Sequence, residues 1–180
     1  MDLSIIIPCY CSGDNIKKVV NDIDATMEKT DMTYEIIMVN DGSPDNTFEI
    51  IEEIAKKREN TYAVDLARNS GQHAAIMAGF NYAKGEVIAT CEDDGQTEVS
   101  IIPQLIEKLN EGYDVAAPRY VDRGKRSLYR EFGTKCATAM ANWMIPRPKG
   151  VLVPIFFAAK KFVVKEIIKY NQPYPYIEGL

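Results

Sequence analysis

The chain has 180 residues, 46% of them hydrophobic, and a formal net charge of -5. That is enough apolar content for a single folded core, and the acidic balance argues against a nucleic-acid binder, which is normally basic. The four cysteines, Cys9, Cys11, Cys91 and Cys136, form no CxxC pair, which excludes an obvious zinc site or disulfide framework and favours a reducing, cytoplasmic setting.

In chain order, Leu3 to Pro8 is an isoleucine-rich run that predicts a buried strand. Asp14 is placed to cap a helix carrying Ile16, Val19, Val20, Ile23 and Met27 at helical spacing. Tyr34 to Val39 predicts a second strand and Asp41-Gly42-Ser43-Pro44-Asp45 a turn. Asp45 or Asn46 then opens a helix with Ile50, Ile51 and Ile54 inward. Tyr62 to Leu66 predicts a third strand, Gly71 to Ala83 an alanine-rich helix closed by Gly85, and Glu86 to Cys91 a fourth strand. Ile101 to Leu109 reads as a helix and Val115 to Pro118 as a short strand. Beyond Pro118 the pattern loosens. Tyr129 to Trp143 and Lys161 to Tyr170 are candidate helices, with a last strand over Val151 to Phe157. The apolar stretch Val151 to Ala159 carries a proline and is far short of the roughly 20 residues that span a bilayer. No basic start precedes an apolar run, so no signal peptide is expected.

Strands and helices alternating at this spacing predict an α/β/α sandwich with a mainly parallel sheet. Ligands of such sheets bind beyond the carboxyl ends of the strands. The polar loops fall at those ends: Tyr10 to Ser12, Asn40 to Ser43, Arg68 to Gln72, and Glu92 to Gln96.

The loop Glu92-Asp93-Asp94-Gly95-Gln96 carries the most specific chemistry. Taken alone, an acidic triplet reads as a solvated loop. Directly after a buried strand, its carboxylates repel one another unless a cation neutralises them. Mg²⁺ and Mn²⁺ take oxygen ligands and keep positions open for phosphate oxygens, so one or two carboxylates can fasten a cation that clamps a diphosphate. Asp41 is either an acceptor for a nucleobase or ribose, or a plain Asp-Gly turn residue; both readings stand. Arg68 could hold phosphate, and Gly71 permits close backbone approach. His73, the sole histidine, reads as a helix-start side chain rather than a base. Arg119, Arg123, Lys125, Arg126, Arg130 and Lys135 make a basic segment in an acidic chain, suited to gripping an anionic second substrate.

Four segments in this order and spacing resemble family 2 glycosyltransferases with the GT-A fold: Ser4-Ile5-Ile6-Ile7-Pro8-Cys9-Tyr10, Val39 to Thr47, Arg68 to Ala75, and Glu92 to Gln96. The likeness is greatest to the branch of dolichyl-phosphate mannose synthase and bacterial polyprenyl-phosphate glycosyltransferases. It covers about the first 135 residues well. The resemblance implies inverting transfer of a sugar from a nucleotide diphosphate sugar, such as a UDP- or GDP-sugar. It places one GT-A catalytic domain over 1–180, with 1–118 as the nucleotide-sugar part and 119–180 as the acceptor side.

By position, the resemblance puts Pro8, Tyr10 and Asp41 in the nucleoside pocket, with Arg68, Gln72 and Asp93 completing the nucleotide side. Glu92 and Asp94 take the two acidic places of the metal motif, for Mg²⁺ or Mn²⁺. Gln96, Arg119, Arg130 and Thr134 fall on the acceptor side, and Asp94, Arg119 and Arg130 are the implied catalytic groups. The implied acceptor is a polyprenyl phosphate, already ionised at neutral pH and so without need of a strong base. Transfer to a saccharide hydroxyl would need one, for which Asp114, Asp122, Glu131 and Glu166 are the candidates. A nucleotide-sugar-binding module without catalysis is the third reading.

Three positions depart from the family pattern. Cys11-Ser12 stands where Asn-Glu is usual, Glu92 replaces an aspartate, and Ile155-Phe156-Phe157-Ala158 replaces an Asp-Phe-Arg-like strand. Lipid-linked members of the family continue into amphipathic and membrane helices; the sequence ends at Leu180, so the resemblance leaves two readings, an excised domain with peripheral membrane association through a further C-terminal segment, or a shorter relative.

Overall fold

The structure, a computed structural model, describes residues 1–118 and 154–170, with Gln172, Pro175 and Ile177. The basic segment from Arg119 to Lys135, the candidate helix Tyr129 to Trp143 and Cys136 lie outside the described residues.

The elements are β1 (Leu3–Cys9), α1 (Asn15–Met27), β2 (Tyr34–Asn40), α2 (Thr47–Lys56), β3 (Thr61–Asp65), α3 (Gln72–Tyr82) and β4 (Val87–Thr90). A 3-10 turn over Val99–Ile101 leads into α4 (Ile102–Asn110), followed by β5 (Val115–Ala116), β6 (Ala158–Lys160) and α5 (Lys161–Ile167). They form a six-stranded sheet in the order β3-β2-β1-β4-β6-β5. β3, β2, β1 and β4 are parallel, while β6 runs antiparallel to both β4 and β5.

Period-two alternation along β1 assigns its side chains to two layers. Leu3, Ile5, Ile7 and Cys9 pack with Ile16, Val20 and Ile23 of α1, Ile51 of α2 and Leu105 of α4. Ile6 faces the other way, into a cluster with Ile37, Val39, Ile76, Phe80 and Val164. Every β1 residue is buried, the expectation for a central strand covered on both faces. α3 approaches β1 closely because Gly79 has no side chain: a Cβ there would sit 2.4 Å from Ile6 Cγ2.

At the end of the sheet away from the polar rim, fully buried Glu35 uses Oε1 to accept from Ser4 Oγ at 2.6 Å and the Lys84 N–H at 2.7 Å. Ser4 Oγ in turn accepts from the Gly85 N–H at 2.8 Å. Glu35 thereby ties the α3–β4 connection to β1 and β2.

Three local expectations are corrected. Of the expected strand Val151 to Phe157, the described part, residues 154–157, is not strand; the strand beside β4 is Ala158–Lys160, whose register is fixed by pairing of Ala89 with Ala158. Gly85 does not close α3, which ends at Tyr82 with an extended Ala83. Gly85 is required instead by close passage of β1, since a Cβ would meet Ser4 N at 2.5 Å. Asp14 occupies the cap position of α1 but makes no side-chain cap bond; its carboxylate accepts from Lys17 Nζ at 2.7 Å. Among the described residues no helix is long and apolar enough to cross a membrane.

Candidate functional site

The loops after β1, β2, β3 and β4 meet at the carboxyl rim, and hydrogen bonds join them. Asp41, only 3% exposed, accepts from the Ser70 N–H at 2.7 Å through Oδ1 and from the Gly71 N–H at 2.8 Å through Oδ2. The turn after β2 thus holds the start of α3. Gly42 lets the two loops touch: it has φ +60°, and a Cβ would lie 2.4 Å from the Arg68 carbonyl carbon.

The loop after β1 is held from two sides. Cys11, with φ 52°, donates its N–H to Ser43 Oγ at 3.1 Å, and the Ser12 N–H donates to Thr47 Oγ1 at 3.0 Å. Ser43 Oγ donates onward to Asn40 Oδ1, and Asn40 Nδ2 donates to Asp65 Oδ1 at 2.7 Å. On the other side, Asp93 Oδ2 accepts from the Tyr10 N–H at 3.1 Å and from the Ser12 hydroxyl.

This arrangement forms two cavities on either side of the acidic turn. One, of about 290 Å³, is lined by Pro8, Cys9, Tyr10, Asp41, Asn69, Gly71, Gln72 and Asp93. The other, of about 360 Å³, is lined by Glu92, Asp94, Gln96 and Thr97 together with Pro154, Ile155 and Phe156. The nucleotide-side expectations Pro8, Tyr10, Asp41, Gln72 and Asp93 are therefore brought together. Arg68 is exposed beside them and is not among the lining residues. Glu92, Asp94 and Gln96 share the second cavity. Arg119, Arg130 and Thr134 lie outside the described residues, as do Asp122 and Glu131.

Burial raises the Glu92 carboxyl above its ordinary range, and the negative charge of Asp94 adds to the effect. Two carboxylates crowded on one wall are the donor set a hard divalent cation relieves. Among the described residues no group of three or more His, Cys, Asp or Glu side chains is arranged to hold a metal ion. A pair still fits Mg²⁺ or Mn²⁺ at a diphosphate, because such ions commonly take one or two protein carboxylates and complete their shell with phosphate and water. Burial pushes the Cys9 and Cys91 thiols far up, with nearby acidic charge contributing, which removes both as nucleophiles at neutral pH.

The two base candidates among the described residues stand elsewhere. Asp114 pairs with Lys160 at 3.0 Å and Glu166 with Lys169 at 2.6 Å, both on the surface and away from the lining of either cavity. His73 is the second residue of α3, in keeping with a helix-start side chain. No individual site role is legible in the sequence for Ser12, Asn40, Ser43 or Thr47. Their signals are the polar composition of the rim loops, membership of Asn40, Ser43 and Thr47 in the Val39 to Thr47 segment, and the departure at Cys11-Ser12.

Residues 4–168 match the model of the family described as Glycosyl transferase family 2. The chain is 33% identical over 171 residues to an undecaprenyl-phosphate 4-deoxy-4-formamido-L-arabinose transferase of Photorhabdus laumondii, covering 94% of this chain and 52% of the relative. Its counterpart in Yersinia enterocolitica is 40% identical over 149 residues, covering 82% of this chain and 44% of the relative. The chain thus spans about half the length of these curated relatives.

Among solved structures, the glucosyl-3-phosphoglycerate synthase of Mycobacterium tuberculosis in complex with Mn²⁺, UDP and phosphoglyceric acid superposes with a TM-score of 0.65 at 21% identity, covering 90% of this chain and 56% of that one. TarS 1-349 of S. aureus in complex with UDP-GlcNAc gives 0.61 at 18% identity, with 99% and 51% covered. The mainly parallel α/β sheet is the GT-A arrangement anticipated from the four motifs, and the likeness to polyprenyl-phosphate transferases is borne out by the relatives.

Proposed function

This chain belongs to glycosyl transferase family 2, and from that premise we propose that it transfers a sugar, with inversion, from a nucleotide diphosphate sugar to a polyprenyl phosphate. The observation that carries the reading is the division of the acidic turn. Asp93 faces a cavity lined by Pro8, Tyr10 and Asp41, and Glu92 and Asp94 face its neighbour. In this reading the nucleoside enters the first cavity, beside Tyr10, Asp41 and Gln72. The diphosphate crosses the turn, and the sugar lies in the second cavity beside Gln96.

Glu92 and Asp94 would hold the divalent cation, which supplies neutralisation of charge on the departing nucleoside diphosphate. The protein's own contribution is positioning. The hydrogen-bonded rim holds the cavity walls before the donor arrives, so that little reorganisation accompanies reaction.

A phosphate acceptor attacks without prior deprotonation. Asp114 and Glu166, the two base candidates among the described residues, stand on the surface, in keeping with a phosphate acceptor rather than a saccharide hydroxyl, which needs a base in reach. The relatives are named as undecaprenyl-phosphate sugar transferases, which supports the same acceptor class. In this proposal Arg119, Arg130 and Thr134 grip the acceptor phosphate, and the whole chain, 1–180, is one catalytic domain working at a membrane face.

Calorimetry with UDP and GDP, with and without Mn²⁺, combined with transfer assays on a short polyprenyl phosphate, tests the reading. Nucleotide binding should tighten at least about tenfold with Mn²⁺, and Asp94→Ala should abolish both that gain and transfer. Metal-independent binding, or full transfer by Asp94→Ala, overturns the assignment.

A further inference from the structure

Three successive carboxylates, Glu92, Asp93 and Asp94, repel one another, and in a solvated turn nothing assigns each to a side. Here the assignment is sharp: Asp93 lines one cavity, and Glu92 and Asp94 line the other. The Asp93 carboxylate is held by two donors on one oxygen. Oδ2 takes the Tyr10 N–H at 3.1 Å and the Ser12 hydroxyl. The Tyr10 N–H is backbone and would be supplied by any residue but proline; the hydroxyl is a side-chain contribution of this chain.

Ser12 is 6% exposed and lines neither cavity. Its backbone N–H is already committed to Thr47 Oγ1 at 3.0 Å, so α2 fixes where its side chain begins. This buried serine, with its backbone N–H bonded to Thr47, places its hydroxyl on the Asp93 carboxylate. It restricts the carboxylate correspondingly.

We propose that Ser12 is a positioning residue for nucleotide binding: its hydroxyl fixes the Asp93 carboxylate on the nucleoside side of the acidic turn. The turn then presents one carboxylate to the nucleoside cavity and two to its neighbour. This inference rests on the donor-binding reading above and deepens it. Ser12 reaches no ligand itself, so any effect it has on nucleotide affinity acts through Asp93. Without the Ser12 hydroxyl, the Asp93 carboxylate keeps only the Tyr10 N–H, and the wall of the nucleoside cavity is held less firmly.

The test is calorimetric titration of UDP and of GDP at saturating Mn²⁺ into wild type, Ser12→Ala, Ser12→Thr, Asp93→Asn and the Ser12→Ala/Asp93→Asn double variant. Thermal denaturation of each accompanies it. Ser12→Ala should weaken the nucleotide about fivefold or more, the scale of one hydrogen bond to a charged group. Ser12→Thr, which keeps the hydroxyl, should recover most of that affinity. In the Asp93→Asn background the same Ser12→Ala change should cost less than about twofold, because the charge it positions is gone. Unchanged affinity in Ser12→Ala, no recovery in Ser12→Thr, or an equal loss in both backgrounds overturns the proposal. If wild type binds neither nucleotide, the donor-binding reading fails and takes this one with it. If wild type binds and Ser12→Ala binds equally, only the positioning role fails.

Discussion

Asp41 and Gly71 are joined across the rim by a hydrogen bond of 2.8 Å from the Gly71 N–H to the buried Asp41 Oδ2. With the Ser70 N–H on Oδ1 at 2.7 Å, the carboxylate satisfies two backbone donors just ahead of the first turn of α3. Asp41 is thus both a lining group of the nucleoside cavity and the clasp that forms its wall.

Removing that clasp has two measurable consequences. Asp41→Ala leaves two backbone donors without their acceptor and should cost about 2–4 kcal/mol of stability. It should also reduce UDP affinity by about tenfold or more. Chemical denaturation and calorimetry read the two effects separately. A variant with wild-type stability would show that the loop is held by other contacts.

Gly42 and Gly13 make a matched comparison. Both have positive φ, +60° and +52°, but a Cβ at Gly42 would collide with Arg68 and Asn69 backbone, whereas at Gly13 nothing lies within 4 Å. Gly13→Ala should cost only about 1 kcal/mol, the left-handed backbone penalty. Gly42→Ala should cost about 3 kcal/mol or more, since the two rim loops have to separate. Equal costs, measured by urea denaturation, would refute the close-approach argument.

Glu92 gives the site a pH dependence. Its folded pKa is raised, by burial first and then by Asp94, so the folded chain holds the proton more tightly than the unfolded chain does. Its contribution to stability is full below the unfolded pKa and is lost as pH rises through the folded one. Without metal, Glu92→Gln should therefore gain stability relative to wild type between about pH 5 and about pH 7.5. A divalent cation competes with the proton, so the rise in Tm caused by Mn²⁺ should be larger at about pH 7.5 than at about pH 5. A pH-independent Mn²⁺ effect would remove Glu92 from the cation's ligands.

Arg58 and Asp24 provide a control away from the rim. The Arg58 guanidinium forks onto Asp24, with Nη1 to Oδ2 at 2.6 Å, and the Tyr34 hydroxyl donates to Asp24 Oδ1 at 2.7 Å. Both partners are only about a quarter exposed. Asp24→Ala should lower stability by about 1–3 kcal/mol, because the largely buried guanidinium loses its carboxylate and keeps the Thr61 hydroxyl, on Nε. UDP affinity should be unchanged. A loss of nucleotide binding there would mean that affinity follows global stability, and the Asp41 result would need reinterpretation.

The sequence by itself determined the layered α/β order. Buried strands such as Leu3–Cys9 are continuous apolar runs, and helices such as Asn15–Met27 carry their apolar residues at helical spacing. Both signals are local and survive in one dimension. It also determined that the polar loops cluster at one rim, since parallel strands send all their following loops to the same edge.

The sequence could not divide Glu92, Asp93 and Asp94 between two cavities. Consecutive acids in a turn have no period that fixes a side, and the division follows from bonds reaching 81 and 83 residues back, to Ser12 and Tyr10. Ser12 itself read as a departure from the family pattern, and only the fold turned it into the partner of Asp93. The same holds for Gly85, which local rules made a helix stop and which packing against Ser4 made a close-approach residue. Local chemistry set which groups were available at the rim. Long-range hydrogen bonds and close approach, which no window of sequence contains, decided what each of them faces.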